Sequence, residues 1–273
     1  VDETAVACLG GIKDENCCCR ILEQRDNHDI KTRVRSMVRQ VAKSFTSDHY
    51  DDGALFAKIA KEITEQGFSI NPTAVPMALV SALHDHVVSI NDEKFSAAGS
   101  GRGKRFTRSK FVRTDEICWI EGDSQAGRDW LLWAKSLQTY LNRHLLLGLF
   151  SFESHFSLYG PGDYYKRHQD AFKGEANRVL SLALYLNPGW TADDGGELVL
   201  YPSDADGETV EAPTRLAAGL PAETKVTPLM GTLVLFLSED FPHEVLPAVR
   251  DRYAIAGWYR VNTSVSDRVD PPR

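Results

Sequence analysis

The sequence lacks several features that would each indicate a class of protein. No apolar run approaches the roughly 18 residues that a membrane-spanning helix needs. Basic residues are outnumbered by acidic ones, 31 against 38, and the net charge of −7 argues against general binding to nucleic acid or membranes. The N-terminus has no basic segment leading into an apolar one, so no secretory signal is expected. These absences predict a cytoplasmic protein that binds neither nucleic acid nor a membrane.

Cysteine is nearly absent from the body of the chain. One of the five cysteines is Cys118, and the other four crowd the first 19 residues, at Cys8, Cys17, Cys18 and Cys19. This is not a disulfide framework, which fits a reducing compartment. The "CCC" run lacks the C-x₂-C spacing and the second pair of a zinc module. A loose extension over residues 1–28 is therefore favoured over a metal or redox site.

The sequence pattern changes near Phe150, from helical segments before it to strand-like segments after it. Before it, helical patterns occur from Ile30 onward and in "DDGALFAKIAKEITEQG", "VPMALVSALHDHVV" and "GRDWLLWAKSLQTYLNRHLLLG". After it come "FESHFSLY", "RVLSLALYLN", "GELVLY", "GTLVLFLS" and "RYAIAGWYRV", which read as strands. This order predicts a β-sandwich or barrel supported by helices on one face. The expected regions are 1–28, a helical support over 29–150, a β core over 151–262 and a flexible tail over 263–273.

The stretch "YYKRHQDAF" places His168 and Asp170 two positions apart in a strand-like segment. Side chains at i and i+2 of a strand share a face, so an imidazole and a carboxylate would converge. One H-x-D match is weak, and the chain holds a decoy at His49 and Asp51, where a helix cap is the better interpretation. The later "FPHEVLPAVRDRY" adds His243. His168, Asp170 and His243, called the triad below, form the pattern of a non-haem Fe(II) facial triad.

Arg252 follows His243 by nine residues and opens a late strand. On that strand it shares a face with Ala254, Ala256 and Trp258. An inward guanidinium is costly unless an anion meets it, and the small alanines leave room for a ligand such as a dicarboxylate. Tyr185 likewise lies beside small residues. Taken alone, it would be an ordinary barrel aromatic with a satisfied hydroxyl.

These segments together resemble a known enzyme family. "LYGPGDYYKRHQDAF", "RVLSLALYLNPGW", "GGELVLY", "GTLVLFLSEDFPHEVLPAVRDRYAIAGWYRVN" and "WIEG" resemble the Fe(II)/2-oxoglutarate prolyl hydroxylases. The resemblance is to the branch with the animal hypoxia-inducible-factor hydroxylases, and more to its bacterial relatives that act on elongation factor Tu. It covers about residues 54 to 262, and the first 50 residues are not covered.

The resemblance implies a double-stranded β-helix, or jelly roll, with helices packed on the major sheet. In that fold the triad would bind Fe(II), and Arg252 and Tyr185 would bind the distal carboxylate of 2-oxoglutarate. Tyr159 would lie near the metal-chelating end, although its spacing to His168 is one residue shorter than in the animal enzymes. The positions that would line the proline site and its entrance are Trp258, Val245, Arg178 and Tyr165.

The implied reaction is hydroxylation at C4 of a prolyl residue in a protein substrate, with succinate and carbon dioxide as coproducts. The implied cofactors are Fe(II), 2-oxoglutarate and O2, with ascorbate as a candidate reductant. Elongation factor Tu is a candidate partner, an oxygen-sensing role is open, and a monomer is expected. Asp170 favours hydroxylation over halogenation, because a relative without this carboxylate would open a site for halide.

A basic loop interrupts the acidic chain within residues 96–113. Its six basic residues are Arg102, Lys104, Arg105, Arg108, Lys110 and Arg113. By composition it reads as a nucleic-acid patch or a solvated loop. By resemblance it lies where the family has a mobile loop that closes over the bound peptide, and its glycines suit hinge motion.

Two other functions stay open at this point. One is hydroxylation of a small molecule or of another side chain, against which the long loop and Trp258 favour a polypeptide. The other is a catalytically silent jelly-roll binding or sensor protein, which the intact triad and Arg252 disfavour.

Overall fold

The computed structural model describes residues 52–99, 111–171, 177–202 and 221–262. All of them belong to a compact unit spanning Asp51–Arg273. The extension over 1–28 with its four cysteines, the helix expected from Ile30, the decoy at His49 and Asp51, and the tail over 263–273 lie outside the described residues. So do Arg102, Lys104 and Arg105.

The described residues form three helices and eleven strands, with short 3₁₀ turns between some of them. The helices are α1 (Asp52–Gln66), α2 (Met77–Ser89) and α3 (Gln125–Leu145). The strands are β1 (Phe68–Asn71), β2 (Ser96–Ala97), β3 (Glu116–Trp119), β4 (Leu149–Tyr159), β5 (Tyr165–His168), β6 (Arg178–Tyr185), β7 (Leu198–Leu200), β8 (Thr224–Val226), β9 (Leu233–Leu237), β10 (His243–Val245) and β11 (Arg252–Val261).

The three helices confirm the helical patterns in the sequence. Helix α1 buries Phe56, Ile59 and Ile63 on one face, at the spacing of successive helical turns. It ends at Gly67, whose φ of +79° suits glycine and whose N–H donates to the Ile63 carbonyl. Helix α3 begins after Ser124, whose hydroxyl accepts from the N–H of the third residue beyond it at 3.0 Å.

The strands build two antiparallel sheets. The major sheet has the order β1-β9-β6-β11-β4-β3-β2, and the minor sheet has the order β5-β10-β7-β8. All the longer predicted strands are present. Strands β1, β2, β8 and β10 were not predicted, because segments of two to four residues are too short to show a period of two.

The major sheet is buried on both faces. Ile255 and Tyr259 of β11 pack on the helical side in one hydrophobic cluster. Ala254 of the same strand faces a second cluster that also takes in Leu198 and Val245 of the minor sheet. The two facing sheets with helices outside form the predicted double-stranded β-helix, and the space between the sheets receives the polar residues singled out above. No helix among the described residues is long and apolar enough to cross a membrane.

Candidate functional site

The triad converges where β5 and β10 pair. His243 lies directly opposite His168 in the antiparallel register, and Asp170 follows two residues after β5 ends. The Nε2 atoms of His168 and His243 lie 3.7 Å and 3.6 Å from the two carboxylate oxygens of Asp170. One ligand atom from each side chain lies within 4.8 Å of the others, and within the described ranges no other group of three such side chains could hold a metal ion.

Backbone carbonyls fix the tautomer and the orientation of the two imidazoles. Nδ1 of His168 lies 2.8 Å from the Lys166 carbonyl oxygen, and Nδ1 of His243 lies 3.0 Å from that of Phe241. A carbonyl only accepts, so each Nδ1 carries the proton and each Nε2 keeps its lone pair for a cation. Burial and the neighbouring His243 lower the pKa of His168, which keeps that ring neutral. The rings thus fit a divalent metal.

Asp170 completes the metal-binding set with an oriented carboxylate. Its Oδ2 accepts from the Ser181 hydroxyl at 2.7 Å and from the Trp258 indole N–H at 2.8 Å. Burial opposes ionisation, yet the neighbouring His243 and His168, the charge of Arg178 and the hydrogen bond from Ser181 outweigh it and hold the pKa of Asp170 below its usual value. With Oδ2 occupied by these two donors, Oδ1 is the oxygen left for a metal. Two histidines and a carboxylate are the donor set that suits Fe(II).

Arg252 is a buried cation at the start of β11. It is 2% exposed, and its Nε donates to the Gly196 carbonyl at 2.7 Å. The guanidinium carbon lies 5.0 Å from the ring centre of Tyr159 and 5.1 Å from that of Tyr185. Among the described residues no carboxylate forms an ion pair with it. A buried guanidinium that has no ion pair among these residues favours the binding of an anionic ligand.

Tyr185 supplies a second unsatisfied group beside Arg252. Its hydroxyl is buried without a hydrogen-bond partner in the described part of the chain. Burial raises the pKa of Tyr185 to about 12 against the opposing charge of Arg252, so the hydroxyl keeps its proton and can donate. A carboxylate would satisfy both groups at once. The residues therefore fit the distal carboxylate of 2-oxoglutarate.

Tyr159 and Val245 complete the inner wall. Tyr159 is 4% exposed and Val245 is 8% exposed, and both belong to the cluster between the sheets. Burial, reinforced by the charge of Asp115, raises the pKa of the Tyr159 hydroxyl, which therefore stays protonated. These two side chains leave the anion site with largely apolar, water-excluding surroundings.

Two stacked pairs flank the triad. The Tyr165 ring lies parallel to that of His168 with the centroids 3.5 Å apart, and the Arg113 guanidinium lies 4.1 Å from the Tyr165 ring centre. In the major sheet, the Arg178 guanidinium lies 3.7 Å from the ring centre of Trp258. The structure thus brings three of the predicted entrance residues next to the metal-binding set.

Sequence reasoning missed three contacts around this site. They are Ser181 as an Asp170 partner, Asp115 as the ion-pair partner of Arg113, and Glu153 as the partner of Arg178. Glu153 could have been found, since it continues the face of β4 on which the sequence already places His155 and Tyr159. No sequence pattern indicated a role for Asp115.

Comparisons with known proteins identify the family. A profile of the 2OG-Fe(II) oxygenase superfamily matches residues 154–260. The crystal structure of a Pseudomonas putida prolyl-4-hydroxylase is 35% identical, with a TM-score of 0.63 and an alignment over 76% of this chain and 98% of that one. The chain belongs to the 2OG-Fe(II) oxygenase superfamily.

Two further relatives of this oxygenase extend the comparison. Human Egl nine homolog 1 is 30% identical over 184 residues, which are 64% of this chain and 39% of that protein. The oxygenase thus spans about two fifths of the length of that curated relative. A Trichoplax adhaerens prolyl hydroxylase, solved with a hypoxia-inducible-factor peptide fragment, is 25% identical at a TM-score of 0.61 over 78% of this chain and 94% of that one. The oxygenase uses Fe(II), 2-oxoglutarate and O2.

Proposed function

We propose that this oxygenase hydroxylates a prolyl residue of a protein substrate at C4. In this proposal the triad holds Fe(II), while Arg252, Tyr185 and Tyr159 hold 2-oxoglutarate. The observation that carries it is the meeting of two groups in the space between the two sheets. One is an oriented metal-binding set, and the other is a buried guanidinium that has no ion pair among the described residues and lies beside a hydroxyl that has no hydrogen-bond partner among them.

The bound Fe(II), with 2-oxoglutarate and O2, would supply the oxidation that yields succinate and carbon dioxide and places a hydroxyl on the substrate carbon. The protein's own groups position and shield the reactants. Arg252 and Tyr185 bind the far end of the cosubstrate and so set its register. Asp170 would offer Oδ1 to the metal, because Ser181 and Trp258 hold Oδ2. Tyr159 and the apolar inner wall exclude water.

The substrate side suits a prolyl ring. Tyr165 stacks on His168 and Trp258 donates to Asp170, so both aromatic rings border the metal-binding set, and each ring lies against an arginine. The relatives named above support a prolyl substrate, and the Trichoplax adhaerens enzyme was solved with a peptide. We extend the proposal to elongation factor Tu as a candidate, on the resemblance noted in the sequence. The basic loop, with Arg102, Lys104 and Arg105, is proposed to contact that partner.

The test is anaerobic reconstitution of the whole chain with Fe(II) and 2-oxoglutarate, followed by oxygen. Succinate is quantified while elongation factor Tu and other candidate proteins are analysed by mass spectrometry. The expected result is the gain of one oxygen atom on a proline, absent with His168→Ala. Succinate without any modified proline would redirect the proposal to a small molecule or another side chain. No succinate from a protein with bound iron would leave a silent binding protein.

A further inference from the structure

The row of side chains beyond Trp258 contains an ionic bridge that the proposed reaction does not use. Glu153 of β4 lies directly across from Trp258 of β11, and Ser181 of β6 lies across from Trp258 on the other side. One row farther along, Arg260 of β11 lies across from Arg178 of β6. Three neighbouring strands thus place one carboxylate and two guanidinium groups on the face that carries the Asp170 partners.

Glu153 holds both arginines. Its Oε1 lies 3.0 Å from an amino group of Arg178, and its Oε2 lies 3.4 Å from one of Arg260. Arg260 is 1% exposed, whereas the side chains of Arg178 and Glu153 are 23% and 22% exposed. Arg260 is therefore the buried end of the bridge and Arg178 the end nearest solvent.

Arg178 connects this bridge to the metal-binding set. Its guanidinium lies 3.7 Å from the Trp258 ring centre, and the His155 ring centre lies 5.5 Å from that of Trp258, so the indole packs against both side chains. The same indole donates its N–H to Oδ2 of Asp170. A long arginine side chain keeps one rotamer only when its charge is held, because ordering it costs conformational entropy.

We propose that Glu153 is a positioning residue for the metal site: by fixing Arg178 against Trp258, it keeps the indole N–H on Asp170 and leaves the other carboxylate oxygen to the metal. Without Glu153, Arg178 is free to turn toward solvent or toward Asp170 itself, where it competes with the metal for the carboxylate. The inference rests on the iron site of the proposed function.

The test needs a background without the buried arginine charge, since Glu153→Gln alone also removes the ion pair between Glu153 and the buried Arg260. Arg260→Met supplies that background and retains the Glu153–Arg178 pair. The comparison is Arg260→Met against Arg260→Met with Glu153→Gln. The matched control adds Glu65→Gln to Arg260→Met, because Glu65 pairs with Lys61 on the exposed face of α1, where both side chains are more than half exposed.

The measurements are anaerobic Co(II) titration, the d–d absorption spectrum at saturating Co(II), and urea unfolding of the metal-free chain. Loss of a group that orients a metal ligand typically weakens metal affinity by about tenfold or more, so the Kd for Co(II) should rise about tenfold with Glu153→Gln. The d–d spectrum should shift, since the carboxylate is reoriented, and Glu65→Gln should change neither.

An equal Kd and an equal spectrum for the two Arg260→Met proteins would overturn the role of Glu153. A loss of unfolding free energy without either metal change would overturn it as well, because it would assign the bridge to stability alone. If the unaltered protein bound no Co(II), or bound it as well as His168→Ala does, the proposed iron site itself would fail. The failure of the inference and the failure of the proposed function are thus distinguishable.

Discussion

Replacing Arg252 by lysine probes the cosubstrate site through geometry rather than charge. Arg252 uses Nε to hold the Gly196 carbonyl, which leaves its two terminal amino groups for a ligand carboxylate. Lysine keeps the positive charge but offers a single ammonium on a flexible stem, so it cannot bind the backbone carbonyl and both carboxylate oxygens in the same way. One lost hydrogen bond to a charged group costs about 1.5–3 kcal/mol. The Kd for 2-oxoglutarate should therefore rise about 10- to 150-fold.

The assay is isothermal titration of the Co(II)-loaded whole chain with 2-oxoglutarate under anaerobic conditions. Arg250→Lys is the matched control, because Arg250 is two residues away but has a 44% exposed side chain that pairs with Asp194. The control should bind 2-oxoglutarate like the unaltered protein. If Arg252→Lys kept its Kd within about twofold of the unaltered value, the cosubstrate would lie elsewhere and the reasoning from the buried guanidinium would be wrong.

Three further outcomes are expected. Tyr185→Phe should stabilise the metal-free protein by about 1 kcal/mol in urea unfolding, because it removes an unsatisfied buried hydroxyl, yet weaken 2-oxoglutarate binding about fivefold. Gly196→Ala should weaken 2-oxoglutarate binding and cost about 1–3 kcal/mol, since its Cβ would meet Arg252 Cδ at 3.0 Å at a φ of +72°. Gly189→Ala is the control for Gly196→Ala, because its φ is +60° and no atom lies within 4 Å of the added Cβ. It should therefore show only the loss of stability that comes from backbone strain. His155→Leu should reduce the loss of stability in acid.

The sign of the His155 effect follows from burial, which lowers the pKa of this ring from 6.5 to about 3, with the charge of Arg113 adding to the effect. Between those values the unfolded chain binds a proton at His155 and the folded chain does not. Stability from this residue is therefore present above pH 6.5 and is lost as the pH falls toward about 3. Urea unfolding at several pH values checks it.

Each of these three predictions would be contradicted by a specific result. Equal 2-oxoglutarate affinity in Tyr185→Phe would remove the hydroxyl from the cosubstrate site. Equal affinity losses for the alanine substitutions at Gly196 and Gly189 would mean that contact with Arg252 is not the cause. An unchanged acid profile in His155→Leu would mean that another group controls acid unfolding.

The sequence alone was sufficient to predict the helices and strands that have a clear hydrophobic period and to place residues on their faces. The helical segment "DDGALFAKIAKEITEQG" predicted α1, and the alternation in β11 placed Arg252 and Trp258 on one face. These patterns succeed because helix and strand periods are local properties of the backbone. The triad was also predictable, since its residue types have few other reasons to occur together near a buried arginine.

The tertiary structure decided what no local pattern contains. It brought His243 opposite His168 from 75 residues away along the chain, through strands too short to show a period. It also paired Glu153 with two arginines from two other strands and, within the part of the chain that the structure describes, left the Tyr185 hydroxyl without a hydrogen-bond partner. Cross-strand register and the satisfaction of buried polar groups depend on which distant segments pack together. The sequence therefore determined which residues take part in the site, and the packing of the two sheets determined which atoms remain available for a metal and an anion.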